Sequence, residues 1–249
     1  MAVPEVLEQK WADLEKSMQQ AGIKEPRLAV TELQMFARIG QPSSSDAARK
    51  LTHDTLVSPA TQAEALYDVL IYHTAIRLAP FVEMVTHSAT VNHGGGLRKE
   101  RERVYANPCH YAQAMFAAFA GATPIKVELT CPTQQAPIML PDLKNVASEW
   151  TYKTIDSIAA LAPDGSLLIS IVHKGTDESI DLEITVKDLN ITKPAQTQTL
   201  TAEKPWLGNS LENPERIIPQ ETTSLIKNGK LNLSIKAYSV VCIRVPISK

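Results

Sequence analysis

Glu32 is the first residue whose position in the sequence indicates chemistry. It ends a short apolar run, residues 27–32, which predicts a buried β-strand, and a polar loop follows it. In parallel α/β barrels the catalytic residues lie at the C-terminal ends of strands, where a carboxylate can serve as nucleophile, acid or base. A solvated carboxylate or a helix cap would give the same pattern, so the residues alone leave both interpretations open.

Residues 87–103 form a second segment with side chains suited to a polar ligand. The segment follows another apolar run, residues 81–85, so we expect it at the same end of the sheet as Glu32. Three consecutive glycines at 94–96 let a ligand approach the backbone closely. Asn, His and Arg side chains in the segment supply the directed donors that sugar hydroxyl groups require.

Other kinds of site fit the sequence less well. A phosphate-binding loop needs Lys-Ser or Lys-Thr after its glycines, whereas Leu-Arg-Lys follows them at 97–99. His87 and His93, six residues apart, are a weak indication of a metal site. The mixed charges at 98–103 are typical of a solvated surface. The sequence shows neither a Ser-His-Asp order nor a G-x-S-x-G motif, and His73 lies on an apolar helix face, which predicts a core residue.

Hydrophobic periodicity predicts the elements that position these residues. Apolar residues recur at helical spacing over residues 3–20, 61–78 and 108–120. The resulting order of helix, strand, helix, strand, helix is typical of a parallel α/β unit. Because two strands are too few for a parallel sheet buried on both faces, these residues are predicted to belong to a larger domain. They are also predicted to expose apolar surface, which would cause oligomerisation or dye binding.

The second half of the chain is predicted to be all-β. Asp-Gly at 164–165 and Asn-Gly at 228–229 are hairpin signals, and regular short strands predict an antiparallel sandwich of about 100 residues. The predicted fold class is therefore α/β followed by all-β, divided into residues 1–121 and 122–249. The β-rich runs are residues 125–130, 167–173, 180–186, 196–200, 231–235 and 240–245.

Composition places the chain among ordinary globular proteins. The residues are 44% hydrophobic and 21% charged, with a net charge of −2, which gives no electrostatic reason to expect nucleic acid or a membrane as partner. Charged residues interrupt the first 20 positions, so no signal peptide is expected and the protein is predicted to be soluble. Cys109, Cys131 and Cys242 are far apart and form no C-x-x-C pair, so neither disulfides nor a metal or other cofactor is predicted.

Several stretches, taken in order, resemble family 51 glycoside hydrolases, the α-L-arabinofuranosidases. The run Leu-Ala-Val-Thr-Glu-Leu-Gln at 28–34 resembles their seventh barrel strand, and residues 81–91 resemble the eighth strand and its exit. Residues 107–127 are similar to the last barrel helix and its passage into the C-terminal sandwich, and residues 211–219 contain an Glu-Asn-Pro segment similar to the family's. The resemblance covers nearly the whole chain, as the C-terminal portion of such an enzyme.

This resemblance implies the last part of a (β/α)8 TIM barrel followed by a β-sandwich. It implies a retaining hydrolase that removes terminal arabinofuranosyl groups from arabinose-containing polysaccharides, without a cofactor. By position Glu32 would be the nucleophile, and Asn92, His93 and Arg103 would lie near the sugar. The family's acid/base glutamate lies on the fourth strand, and no residue of this sequence takes that role. Because general acid catalysis contributes about 10²–10⁴-fold, activity of the chain alone is expected to be weak or absent.

Two alternatives to an enzyme portion remain open. The sandwich could be a non-catalytic module that binds carbohydrate or mediates assembly. The chain could also be one half of a split enzyme, completed by a separate chain that carries the missing barrel half. Open sheet edges would favour such pairing, or else formation of a homo-oligomer. A secreted parent enzyme is compatible with both.

Overall fold

A computed structural model of the chain describes residues 3–35, 60–135, 151–175, 179–187, 191 and 193–247. The helices are α1 (Val3–Gln20), α2 (Gln62–Arg77) and α3 (Pro108–Phe116), followed by a 3₁₀ turn (Ala117–Phe119). The strands are β1 (Leu28–Leu33), β2 (Val82–His87), β3 (Leu97–Glu100), β4 (Arg103–Ala106), β5 (Thr123–Ile125), β6 (Thr133–Gln135), β7 (Thr151–Lys153), β8 (Ile155–Leu161), β9 (Leu167–His173), β10 (Ile180–Thr185), β11 (Ala195–Thr201), β12 (Gln220–Ser224), β13 (Lys230–Ile235) and β14 (Ser239–Val245).

The predicted parallel α/β unit is confirmed. Strands β1 and β2 pair in parallel, and Leu28 is the register partner of Val82. Helices α1 and α2 cover one face of the pair, where Phe81 and Val82 are buried and Trp11 packs against them. Each element thus contributes its apolar side to one small core.

The prediction that both strands are buried is wrong for most of their length. Only Leu33 of β1 and Val82 of β2 are buried, and Met84 is 45% exposed. The physical reason is that α1 and α2 cover a single face, while the described segments supply no further strand to either edge. Exposed apolar side chains were predicted here, whereas oligomerisation stays a prediction.

Residues 88–107, which the sequence predicts as one long polar loop, contain a β-hairpin. Strands β3 and β4 pair antiparallel through a two-residue turn, and Arg101 in that turn has a left-handed φ of 52°. Four-residue strands rich in charge give almost no alternation, so the sequence offers little signal for them. Helix α3 begins at Pro108 as predicted, because proline is well tolerated at the first helical position.

The predicted antiparallel sandwich is confirmed. Its main sheet has six strands in the order β12, β11, β14, β9, β8 and β5, and β10 pairs with β13 in a second layer. Strand β8 was not predicted, since Asp156 and Ser157 interrupt its apolar run. The predicted strand at 125–130 is wrong beyond Ile125, where exposed Lys126 and Glu128 form an ion pair instead.

The six-stranded sheet is covered on both faces. Ile169 and Val241 pack in a core with Leu231 of β13. On the opposite face Val172 and Val240 join a core formed with α2 and α3, whose members include Leu66, Val69 and Ala112. Helices α2 and α3 from the first half of the chain therefore cover one face of the main sheet of the sandwich. The boundary between residues 121 and 122 stays a prediction.

Candidate active site

Glu32 lies one residue before the end of β1 and is exposed. The next residue, Leu33, is buried and is the register partner of His87 at the end of β2. The pairing register shifts between Val30 and Leu33, so the backbone is irregular at the glutamate. Within the described segments no hydrogen bond or ion pair engages the exposed Glu32 carboxylate.

A hydrogen-bonded chain of three side chains lies beside these strand ends. Ser88 Oγ donates to Gln34 Oε1 at 2.5 Å. Since the hydroxyl has one proton, it accepts from His93 Nδ1–H at 2.6 Å. The chain orients His93 and holds it to Gln34, two residues beyond Glu32. Each bond polarises the next, so the arrangement resists reorientation.

His87 attaches the glycine loop to the end of β2. Its Nδ1–H donates to the Gly94 carbonyl oxygen at 3.1 Å, so Nε2 accepts the hydrogen bond from the Tyr72 hydroxyl. Burial lowers the pKa of His87, which keeps the ring neutral as this pattern requires.

The glycines of this loop were predicted to allow a ligand to approach the backbone closely. In the structure they allow other parts of the protein to approach it closely. A Cβ on Gly94 would meet Ser88 Oγ at 2.8 Å and the Leu33 carbonyl oxygen at 3.0 Å. A Cβ on Gly95 would clash with the backbone of Thr90. Both glycines are therefore needed so that the loop can pack against the strand ends.

Two of the three predicted sugar-binding residues support the hairpin. Asn92, at a left-handed φ of 58°, donates from Nδ2 to the Lys99 carbonyl oxygen at 3.2 Å and accepts from the Lys99 N–H at 2.8 Å. Arg103 Nη2 donates to the Leu211 carbonyl oxygen. His93, in contrast, lies in the cluster beside the end of β1. Contact of Asn92, His93 or Arg103 with a sugar stays a prediction.

Comparison with known families gives a match over most of the chain. The family described as alpha-L-arabinofuranosidase C-terminal domain matches residues 42–239. The chain belongs to this family. Comparison with curated proteins returns no matching sequence.

Solved structures show where this C-terminal domain fold occurs. The chain is similar to a Thermotoga maritima α-L-arabinofuranosidase in complex with arabinose, with 17% identity and a TM-score of 0.78 over 98% of this chain and 48% of that chain. The chain is also similar to a thermostable family 51 enzyme from Thermotoga petrophila RKU-1, with 17% identity and a TM-score of 0.77. The match covers 99% of this chain and 49% of that chain. A family 51 arabinofuranosidase from Xanthomonas axonopodis pv. citri is similar at 16% identity with a TM-score of 0.71. That match covers 88% of this chain and 41% of that chain. The chain thus spans less than half the length of each, and identities this low establish the fold alone.

Two other properties of this arabinofuranosidase C-terminal domain chain bear on function. Among the described residues, no group of three or more His, Cys, Asp and Glu side chains is placed to hold a metal ion. No helix in those same segments combines the length and apolar character needed to cross a bilayer.

The fold also brings together a hydrogen-bonded Ser-His-Asp arrangement that the sequence does not reveal. His73 Nδ1–H donates to Asp156 Oδ1 at 2.5 Å, and Ser170 Oγ–H donates to His73 Nε2 at 2.8 Å. His73 and Ser170 are fully buried between α2 and the six-stranded sheet. A nucleophile must reach its substrate, so this arrangement is structural, and the prediction of His73 as a core residue is confirmed.

Charged residues extend this network from the sandwich to α1. Arg77 Nη1 donates to Asp156 Oδ1 at 2.9 Å and Arg77 Nη2 bonds Glu8 at 2.7 Å. Lys174 pairs with Glu5 and lies 3.9 Å from Asp156. Burial alone would raise the pKa of Asp156, but the His73 hydrogen bond and the Arg77 charge lower it below its ordinary value.

Proposed function

We propose that this chain forms the C-terminal part of a retaining α-L-arabinofuranosidase, with Glu32 as the nucleophile. The observation that carries the proposal is an exposed carboxylate at the C-terminal end of a parallel strand, in a chain of the arabinofuranosidase C-terminal domain family. Carboxylates at this position perform catalysis in α/β barrels. The substrates are terminal arabinofuranosyl groups of arabinose-containing oligo- and polysaccharides.

In this mechanism Glu32 attacks the anomeric carbon and forms a glycosyl-enzyme, which water then hydrolyses. A second carboxyl group, about 5–5.5 Å away in retaining enzymes, protonates the leaving oxygen and later activates the water. By resemblance this acid/base glutamate belongs to the fourth barrel strand, outside these 249 residues. The chain supplies the nucleophile and the last two strands of the (β/α)8 barrel.

The hydrogen-bonded chain beside Glu32 presents the sugar with side chains that are held in one orientation. Ser88 holds His93 through Nδ1, and Gln34 fixes Ser88. A preorganised donor loses little conformational entropy when it binds a hydroxyl group. His93 is therefore the strongest of the three predicted sugar contacts, with Asn92 and Arg103 acting mainly by holding the hairpin in place.

Hydrolysis of an aryl α-L-arabinofuranoside by the purified chain tests the role of Glu32. An activated aryl group leaves with little acid assistance, and azide replaces the activated water, so the missing acid/base residue matters least in this assay. We expect slow hydrolysis that azide accelerates, and its loss in Glu32→Ala.

Glu83→Ala is the matched control, because Glu83 is an exposed carboxylate on the neighbouring strand β2. It should retain the activity of the unmodified chain. Equal loss in both variants, or activity that survives Glu32→Ala, would contradict the assignment of the nucleophile.

The structure favours one further possibility, pairing with the missing barrel half. A groove of about 550 Å³ runs beside β2, lined by Met84 and Val85 together with Ile76 and Phe116. Exposed strand edges next to apolar surface favour the addition of further strands. Mixing the chain with a polypeptide that carries the first six barrel strands should give a stable complex in analytical ultracentrifugation. Self-association of the chain without the added polypeptide would favour the homo-oligomer instead.

A further inference from the structure

We propose that residues 205–211 of the sandwich form a second sugar subsite beside the Glu32 site, with Trp206 as its stacking platform. The ligand is the sugar ring of the oligo- or polysaccharide to which the terminal arabinofuranosyl group is attached. The proposal rests on the proposed function, because it takes Glu32 as the point where the terminal sugar is cleaved.

Topology places the first turn of α2 at the same end of the molecule as Glu32. Only four residues, 78–81, connect α2 to β2, so the C-terminal end of α2 lies beside the beginning of that strand. Sixteen helical residues rise about 24 Å, and six strand residues span about 20 Å. The N-terminal end of α2 is therefore level with the C-terminal ends of β1 and β2.

The backbone on both sides of Trp206 is bonded to this first turn. Ala63 N–H donates to the Pro205 carbonyl oxygen at 2.7 Å, and Gln62 N–H donates to the Leu207 carbonyl oxygen at 2.8 Å. These amides have no partner within the helix, because the first four N–H groups of any helix lack one. The sandwich segment satisfies them and is thereby attached to the barrel helix.

The same segment is also bonded to the hairpin that follows β2. Arg103 donates to the Leu211 carbonyl oxygen. The buried side chain of Asn209 donates from Nδ2 to the Ala106 carbonyl oxygen at 2.7 Å and accepts from the Ile217 N–H at 2.8 Å. The sandwich segment is therefore bonded both to the first turn of α2, which is level with the C-terminal ends of β1 and β2, and to the hairpin that follows β2.

Trp206 remains 50% exposed although its neighbours are held by these bonds. An indole presents a large apolar face together with a polar N–H, a combination that suits the alternating apolar and hydroxyl-bearing surfaces of a sugar ring. A rigid aromatic side chain on a fixed backbone contributes strongly to binding, since little conformational entropy is lost. The chemistry and the position together indicate a sugar subsite.

Equilibrium binding to the full chain tests this subsite without requiring hydrolysis. The two probes are free L-arabinose and a xylotriose carrying one arabinofuranosyl branch, titrated by calorimetry. We expect the branched probe to bind more tightly than arabinose. Trp206→Ala should weaken its binding about tenfold or more, as truncation of a central aromatic contact does, while Trp206→Phe should retain most of the affinity.

Leu225→Ala is the matched control, because Leu225 is a 67% exposed apolar residue of the sandwich outside the segment. It should bind both probes normally. Branched-probe affinity that is unchanged in Trp206→Ala would overturn the subsite, as would an unmodified chain that binds the branched probe no better than arabinose. Failure of Glu32→Ala to abolish hydrolysis would instead overturn the proposed function and leave these titrations interpretable.

Discussion

The two-stranded parallel sheet and the six-stranded antiparallel sheet of this chain differ sharply in how they are covered. All seven residues of β9 are buried, whereas one residue of six is buried in β1. Helices and a second β-layer enclose the larger sheet on both faces. The smaller sheet has helices on one face and exposes Met84 on the other.

The difference shows that the two sheet types depend differently on the rest of a protein. Parallel strands need cover on both faces and neighbours at both edges, which only further β/α units provide. An antiparallel sandwich completes its core within a short stretch of chain. The candidate catalytic residue thus lies on the incompletely covered sheet, and the scaffold that holds it lies on the complete one.

The largest expected effect on the free energy of unfolding comes from the charged network that links α1 and α2 to the sandwich. Asp156→Asn should destabilise the fold by roughly 3–5 kcal/mol, because it removes the buried carboxylate shared by His73, Arg77 and Lys174. Arg77 and Lys174 then keep only the partly exposed Glu8 and Glu5 as counter-charges. Urea denaturation measures the loss. Asp164→Asn is the control, since this exposed aspartate also bonds an arginine but should change stability little. Similar losses in both variants would contradict the role of the buried network.

Truncation of apolar residues compares the two sheets directly. Leu168→Ala in β9 should cost about 2–5 kcal/mol, since the side chain is 2% exposed and a cavity would remain. Met84→Ala in β2 should stay within about 0.5 kcal/mol of the unmodified chain, as exposed substitutions usually do. Thermal and urea unfolding report both values. A large loss for Met84→Ala would contradict the exposure of this face of β2.

Mild acid should weaken the fold by a smaller amount. Burial lowers the pKa of His73, His87 and His173, so the unfolded chain binds protons before the folded one does. Their stabilising contribution is full above the unfolded pKa, about 6.5, and is lost as pH falls through the lower folded values. Asp156 extends the loss below about pH 4, where its unfolded carboxylate is protonated.

Asp68 opposes this trend and must be removed from the measurement. Burial raises its pKa well above the ordinary value, so its contribution is present at low pH and is lost as pH rises. In Asp68→Asn the urea midpoint should therefore fall steadily from pH 7.5 to 5.5. A midpoint that does not change over that interval would contradict the lowered pKa values, because it would mean that the three histidines take up protons equally readily in the folded and unfolded chain.

Sequence patterns predicted the parts of this fold that depend on local periodicity. The three helices, the parallel pair and most long apolar strands follow from side chains that repeat toward one face. Glu32 was predicted as a site residue because it stands where such a pattern stops, and its catalytic role stays a prediction. Contacts between distant segments leave no such signal: 97 positions separate His73 from Ser170, and the hydrogen bond from Arg103 joins residues 108 positions apart.

Short or polar strands were missed for a different reason. Strand β12, with the sequence Gln-Glu-Thr-Thr-Ser, contains no apolar residue, and its place in the sheet comes from backbone pairing with β11. The β3–β4 hairpin is stabilised by the amide of Asn92, which a sequence pattern presents equally well as a ligand-binding group. Hydrogen-bonding side chains are thus the residues whose role the sequence predicts least reliably.

The burial of helix α2 between both halves of the chain limits where the chain can be divided into separate folding units. Twelve of its sixteen residues are buried, and it packs against α1, α3 and β2 as well as against β8, β9 and β14. A shorter protein that began after α3 would expose the face carrying Val172 and Val240 to water. The smallest piece that evolution or an engineer could exchange intact therefore includes both helices with the sandwich, and the family match at residues 42–239 spans both.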